Sequence, residues 1–120
     1  MAKKRQEYNG PCPVERVIHV FAGRWKPAVL FNLEQHGTLR FSEIRRLIPE
    51  VTQRMLTLQL RELERDGLVT RTQYAEIPPR VEYKSTKLAL SLAPVFQSIN
   101  DWGEKNISSI HKARRKYDNT

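Results

Sequence analysis

Apolar residues recur at the three- and four-residue spacing of amphipathic helices along five stretches of the chain. The pattern predicts helices over residues 14–22, 26–35, a short segment between Ser42 and Pro49, residues 52–66, and residues 88–110. Glycines follow the first, second and fourth of these stretches, where they can end a helix. The chain is therefore predicted to be mostly helical.

The third and fourth helices form the most informative pair. Ser42 is predicted to cap the short helix, whose buried face would hold Ile44, Leu47 and Ile48. Thr52 is predicted to cap the longer helix, in which Leu56, Leu60 and Leu63 form one apolar stripe. A short helix, a turn of about four residues and a longer helix make up the helix-turn-helix pattern.

Two segments after the longer helix have the composition of strands, Leu68–Thr72 and Val81–Ser85. The sequence between them, QYAEIPPR, predicts a hairpin with a proline-stiffened tip, and a hairpin in this position is a wing. Residues 38–40 are too few for more than a single extended bridge. The predicted fold is α+β and mostly helical, a winged helix-turn-helix with a two-stranded wing and additional N- and C-terminal helices.

Length and composition limit the class of protein. A chain of 120 residues, 39% of them apolar, supports one domain, predicted over residues 12–110 and including the helix at 88–110. Residues 1–11 are predicted to be a flexible arm and residues 111–120 a basic polar tail. The lone Cys12 cannot form an intramolecular disulfide and fits a reducing cytoplasm.

Several kinds of site and location are not expected. The sequence has no apolar run of membrane-spanning length, and no apolar segment follows the N-terminal charges as in a secretory signal. Its three histidines are scattered and show no metal-ligand spacing with Cys12, so neither a metal nor a cofactor is expected. It also lacks a nucleophile elbow, paired carboxylates and a glycine-rich phosphate loop, which argues against an enzyme.

Charge indicates the partner. Lys and Arg total 21 against 13 Asp and Glu, a formal charge of +8 that attracts polyanions. On a helix over residues 52–66, Arg54, Arg61 and Arg65 point away from the leucine stripe, where they could contact guanine and phosphate. An outward Leu58 could contact a thymine methyl group. The candidate DNA-binding residues are Arg40, Ser42, Thr52, Gln53, Arg54, Thr57, Leu58, Arg61 and Arg80. An ordinary solvated face is the alternative for these charges.

The last predicted helix carries more apolar side chains than a small domain can cover. Phe96, Ile99 and Trp102 would be buried by a second copy of the chain, since aromatic residues favour interfaces. Folding back on the chain's own core is the alternative. Paired DNA half-sites also favour a homodimer.

Several motifs together resemble the HxlR family of bacterial winged helix-turn-helix regulators, over about residues 12–102. They are Cys12-Pro13, GRWK at 23–26, Arg40-Phe41, LRELE at 60–64, DGLV at 66–69 and PPRVEY at 78–83. The resemblance implies dimers that bind operator DNA through N- and C-terminal dimerisation helices. The implied dimer residues are Val14, Val17, Phe21, Leu92, Val95, Phe96, Ile99 and Trp102.

The resemblance also implies a role for Cys12, because several members of the family use a cysteine at its position to sense electrophiles or oxidants. A thiol near a helix N-terminus is more reactive than an ordinary one. The sequence thus predicts a homodimeric regulator that binds double-stranded DNA at an inverted repeat, with a small-molecule or oxidant effector left open. The alternative is a winged-helix module that binds a protein or RNA partner.

Overall fold

The computed structural model describes residue 7 and residues 9–120, which form six helices and three strands. The elements are α1 (Glu15–Phe21), α2 (Lys26–His36), β1 (Leu39–Arg40), α3 (Phe41–Leu47), α4 (Gln53–Arg65), β2 (Val69–Tyr74), β3 (Arg80–Ser85), α5 (Lys87–Leu90) and α6 (Ala93–Asp118). The chain divides after Leu90 into two compact units, and α6 makes up most of the second. The predicted arm at residues 1–11 falls largely on residues 1–6 and 8, which lie outside the described residues.

The core of the first unit is built from the stripes that the sequence predicts. Its completely buried side chains are Val29, Leu33, Ile44, Val51, Leu56, Leu60, Leu63, Leu68 and Val69. The prediction for Leu47 is wrong, because its side chain is 40% exposed. Leu47 is the last residue of α3, and Val51 from the following turn is buried instead.

The three strands form an antiparallel sheet in the order β1-β3-β2. Strand β3 pairs with β2 from Val69 opposite Ser85 to Tyr74 opposite Arg80, and the predicted wing is confirmed. Both strands extend further toward the tip than predicted, so the connection between them is only residues 75–79. The short β1 pairs with the other edge of β3, where Leu39 lies opposite Tyr83.

The two helices of the helix-turn-helix begin differently. The prediction that Ser42 caps α3 is wrong: Arg40 occupies the N-cap position, and its backbone N–H donates to the Glu43 carboxylate over 2.8 Å. Pairing of β1 with β3 holds Arg40 extended, so the helix starts immediately after it. The prediction for Thr52 is confirmed, since its hydroxyl oxygen accepts the Met55 N–H over 3.1 Å.

The predicted single helix over residues 88–110 is wrong at both ends. Helix α5 stops at Leu90, and α6 starts at Ala93 and continues to Asp118, through most of the predicted polar tail. Pro94 explains the break, because inside a continuous helix its ring would clash with the carbonyl four residues earlier. In the first turn of α6 the same ring is tolerated.

Candidate nucleic-acid interface

Helix α4 presents a basic face directly opposite its leucine stripe. Arg54, Arg61 and Arg65 are exposed, whereas Leu56, Leu60 and Leu63 are at most 1% exposed. Among the described residues, none of these three arginines takes part in an ion pair. The sequence therefore located these cations correctly, and their guanidinium groups have donors for phosphate or guanine.

Three other residues predicted on α4 surround the arginines. Leu58 and Thr57 are half-buried, and Gln53 is exposed at the first position of the helix. The Thr57 hydroxyl donates to the Gln53 carbonyl over 2.9 Å, so its proton is already used within the helix. The Thr52 hydroxyl accepts the cap hydrogen bond and keeps its proton for a phosphate oxygen. Of the two threonines, Thr52 is the better phosphate donor.

An open cleft of about 590 Å³ lies between α3 and the beginning of α4. Its lining residues are Phe41, Ser42, Arg45, Arg46, Pro49 and Gln53. Ser42, although it is not a cap, belongs to this cleft together with two exposed arginines. Arg46 was not predicted as a site residue. Its position on a helix whose inward residues are Ile44 and Ile48 is the signal that could have identified it.

The wing arginine Arg80, a predicted DNA-binding residue, already has partners within the wing. The Arg80 guanidinium lies 3.2 Å from the Glu76 carboxylate and 3.7 Å from that of Glu82, and it stacks 4.1 Å above the Tyr74 ring. These contacts offset its charge within the wing. Arg71 on β2 and Arg40 on β1 are the exposed arginines of the sheet, and Arg71 was not predicted.

The candidate dimer residues of α1 divide into two groups. Val14 and Val17 are 61% and 53% exposed, as an unpaired interface would require. Phe21 is only 8% exposed and belongs to the core of the first unit, so its prediction as an interface residue is wrong. Val14 and Val17 share one side of α1 with Phe21, at i, i+3 and i+7, and this side is buried only at its Phe21 end.

The segment that carries Cys12 is anchored to α1. The Arg16 guanidinium donates to the carbonyls of Gly10 and Pro11 over 2.8 and 3.3 Å, which brings the chain before Cys12 back along the helix. The thiol is half-buried. It is therefore held on an ordered segment and is still reachable from solvent.

Helix α6, taken by itself, carries an apolar stripe along one side. Val95, Ile99 and Trp102 are 40%, 53% and 60% exposed, and Leu92 and Phe96 are half-buried. Within the part of the chain that the structure describes, no helix is long and apolar enough to cross a membrane. That part also holds no group of three or more histidine, cysteine or acidic side chains that could bind a metal ion.

Residues 20–111 match the family model described as HxlR-like helix-turn-helix, which covers α2 to α5 and most of α6. The chain belongs to the HxlR-like helix-turn-helix family. The resemblance found in the sequence is thereby confirmed. The family is one of transcription regulators, and α3 with α4 forms its DNA-binding helix-turn-helix.

Curated relatives of this HxlR-like chain are named as transcription regulators. YdeP of Bacillus subtilis (strain 168), an HTH-type transcriptional regulator, is 47% identical over 110 residues, which are 89% of this chain and 85% of YdeP. YybR of the same strain is 46% identical over 116 residues, which are 95% of this chain and 92% of YybR.

Solved structures confirm the fold. The redox regulator HypR in its reduced form superposes with a TM-score of 0.76 at 44% identity, over 84% of this chain and 99% of HypR. The reduced transcriptional regulator YodB from B. subtilis gives a TM-score of 0.71 at 34% identity, over 78% of this chain and 92% of YodB. The superpositions cover nearly the whole length of HypR and of YodB, so the winged helix-turn-helix is the fold that they share with this chain.

Proposed function

We propose that this HxlR-like regulator binds an inverted-repeat operator as a homodimer, with α4 of each subunit in the major groove. The observation that supports this most is the face of Arg54, Arg61 and Arg65, exposed directly opposite three buried leucines. Burial of the leucines fixes which side of α4 is outward, and that side carries uncompensated positive charge. Bacterial DNA and its regulator would meet in the cytoplasm.

The roles within the interface follow from side-chain chemistry. Arg54 and Arg61 supply forked donors for base edges or phosphates, and Leu58 supplies an apolar contact for a thymine methyl group. Arg45 and Arg46 beside the cleft, together with the Thr52 hydroxyl, suit the phosphate backbone. Arg40 and Arg71 are better placed for further phosphate contacts than Arg80, whose charge is already offset.

The first experiment is a selection of genomic fragments by the purified protein at moderate salt, which suppresses binding through charge alone. On the recovered operator, Arg54→Ala is expected to weaken binding by about 1–3 kcal/mol if Arg54 contacts a base. The affinity for shuffled DNA should change less. Fluorescence anisotropy with both duplexes measures the difference.

Lys87→Ala is a matched control, because it removes an exposed cation elsewhere in the first unit. Equal losses on operator and shuffled DNA would assign Arg54 to a phosphate. Unchanged affinity for every duplex after both Arg54→Ala and Arg61→Ala would favour the alternative, a winged-helix module for a protein or RNA partner.

The homodimer is supported by the exposed apolar residues of α1 and α6. Trp102→Asp is expected to give a monomer, because a carboxylate cannot be buried without a partner charge in an apolar interface. Ser108→Asp is the control, since Ser108 lies on the side of α6 opposite the stripe. Sedimentation velocity measures the oligomeric state of both variants. A Trp102→Asp protein that is still dimeric would show that the interface lies elsewhere.

We further propose that this regulator responds to oxidants and that Cys12 is the responding group. HypR has been solved in a reduced and an oxidised form, and YodB from B. subtilis has been solved after treatment with diamide. With one cysteine per chain, oxidation can join Cys12 to the partner subunit's Cys12 or to a small thiol. Either disulfide forms from two thiols, whose two electrons and two protons pass to the oxidant.

Diamide is therefore expected to change the operator affinity of the wild-type protein and to leave Cys12→Ser unaffected. The anisotropy assay above, run before and after treatment, measures the change, and dithiothreitol should reverse it. A similar response in Cys12→Ser would show that diamide acts at another group. A wild-type protein that does not respond would leave Cys12 without a sensing role.

A further inference from the structure

The connection between α1 and α2 carries a buried cation that contacts the recognition helix. Lys26, the first residue of α2, is only 3% exposed. Its ammonium donates to the Glu62 carboxylate on α4 over 2.8 Å and to the His19 carbonyl on α1 over 3.1 Å. One side chain thus links three helices of the first unit.

Glu62 lies on the flank of α4, between the buried leucines and the outward arginines. Burial of the leucine stripe is favourable but not directional, so a small rotation of α4 about its own axis changes it little. A hydrogen bond of 2.8 Å weakens steeply as its angle and distance change. The Lys26–Glu62 pair therefore adds a directional restraint on this rotation to the packing of the leucine stripe.

Stability alone is a weak reason for such a pair. Removing two charges from water offsets most of their attraction, and an apolar pair of the same volume is often as stable. Bidentate contacts between arginine and a base, in contrast, need a defined orientation of the helix that carries the arginine. A restraint on the rotation of α4 would matter most for those contacts.

We propose that Lys26 is the positioning residue for operator recognition: it sets the rotation of α4 and ties that rotation to α1. The inference rests on the proposed function, since it concerns how α4 meets base edges. Helix α1 carries the exposed Val14 and Val17 and follows the Cys12 segment. A displacement of α1 would thus reach the recognition helix through one ammonium group.

The test is the double variant Lys26→Met and Glu62→Leu in the full chain, which replaces the pair by apolar side chains of similar volume. The ratio of operator to shuffled-duplex affinity is expected to fall about tenfold, the discrimination of roughly one well-oriented base contact. Circular dichroism verifies that the variant is folded at the temperature of the assay. Glu50→Gln is the matched control, because it removes an exposed ion pair. That pair joins Arg24, in the connection between α1 and α2, to Glu50, in the turn between α3 and α4.

The possible outcomes distinguish a failure of the proposed function from a failure of the positioning role alone. A wild-type protein that does not distinguish operator from shuffled DNA would refute the proposed function itself. A discriminating wild type with a double variant within twofold of its ratio would overturn the positioning role alone. If the double variant does not fold, the pair Lys26→Met with Glu62→Gln, which leaves no unpaired charge, is compared with Glu62→Gln alone, which keeps an oxygen acceptor for the ammonium. The ratio should fall in the first and be retained in the second, and equal ratios for these two would overturn the positioning role.

Discussion

Leu60→Ala is expected to lower the free energy of unfolding by about 2–5 kcal/mol, the range for a leucine truncated in a closely packed core. Leu60 is 1% exposed and lies midway along α4, between the completely buried Leu56 and Leu63. The cavity would be surrounded by core side chains of the first unit, which cannot all move to fill it. Denaturation by urea, monitored by circular dichroism, measures the loss.

Leu58→Ala is the matched control on the same helix. Leu58 is half-buried on the outward side, so its truncation should cost less than about 1 kcal/mol of stability. It should nevertheless weaken operator binding if the side chain contacts a thymine methyl group. Equal destabilisation by the two substitutions would contradict the assignment of inner and outer faces on α4.

Helix α4 was predictable because all of its local signals agree. Thr52 caps it, its leucines follow one stripe, and a glycine follows its end, so burial of the stripe determines, to within a small rotation, which arginines face outward. The face used for DNA follows from the same periodicity. For that reason the central part of the candidate site could be found without a structure.

The sequence pattern missed contacts that depend on strand pairing, and one residue was overlooked. For Arg80, pairing of β2 with β3 brings Glu82 and Tyr74 around the guanidinium, while its contact with DNA stays a prediction. Ser42 looks like a cap until pairing of β1 with β3 moves the helix start to Phe41. Pro94, by contrast, was visible in the sequence and was sufficient to divide the last helix.

Lys26 is the clearest case of a residue whose burial the sequence pattern could not predict. A lysine at the start of a helix is normally solvated, and nothing local indicates that it is 3% exposed. Its burial depends on Glu62, 36 positions away, and on a carbonyl of the preceding helix. Such a long-range pair is visible only when α1, α2 and α4 are assembled.

The same pair gives the second large effect on stability. Glu62→Leu is expected to lower the free energy of unfolding by about 3–5 kcal/mol, because it leaves a buried ammonium without its counter-charge. Lys26→Met should cost less, since the Glu62 side chain is 17% exposed and water can solvate part of its charge, whereas that of Lys26 is 4% exposed. The order of the two losses therefore follows from the unequal burial of the partners.

The double variant completes the thermodynamic cycle. With both charges removed, an apolar pair occupies the site, and we expect stability to return to within about 1–2 kcal/mol of the wild type, since such replacements are often neutral. Urea denaturation of the four proteins gives the coupling energy, which should be several kcal/mol in favour of the matched pairs. Additive losses, with the double variant the least stable of the four, would mean that the ammonium and the carboxylate stabilise the first unit independently of each other.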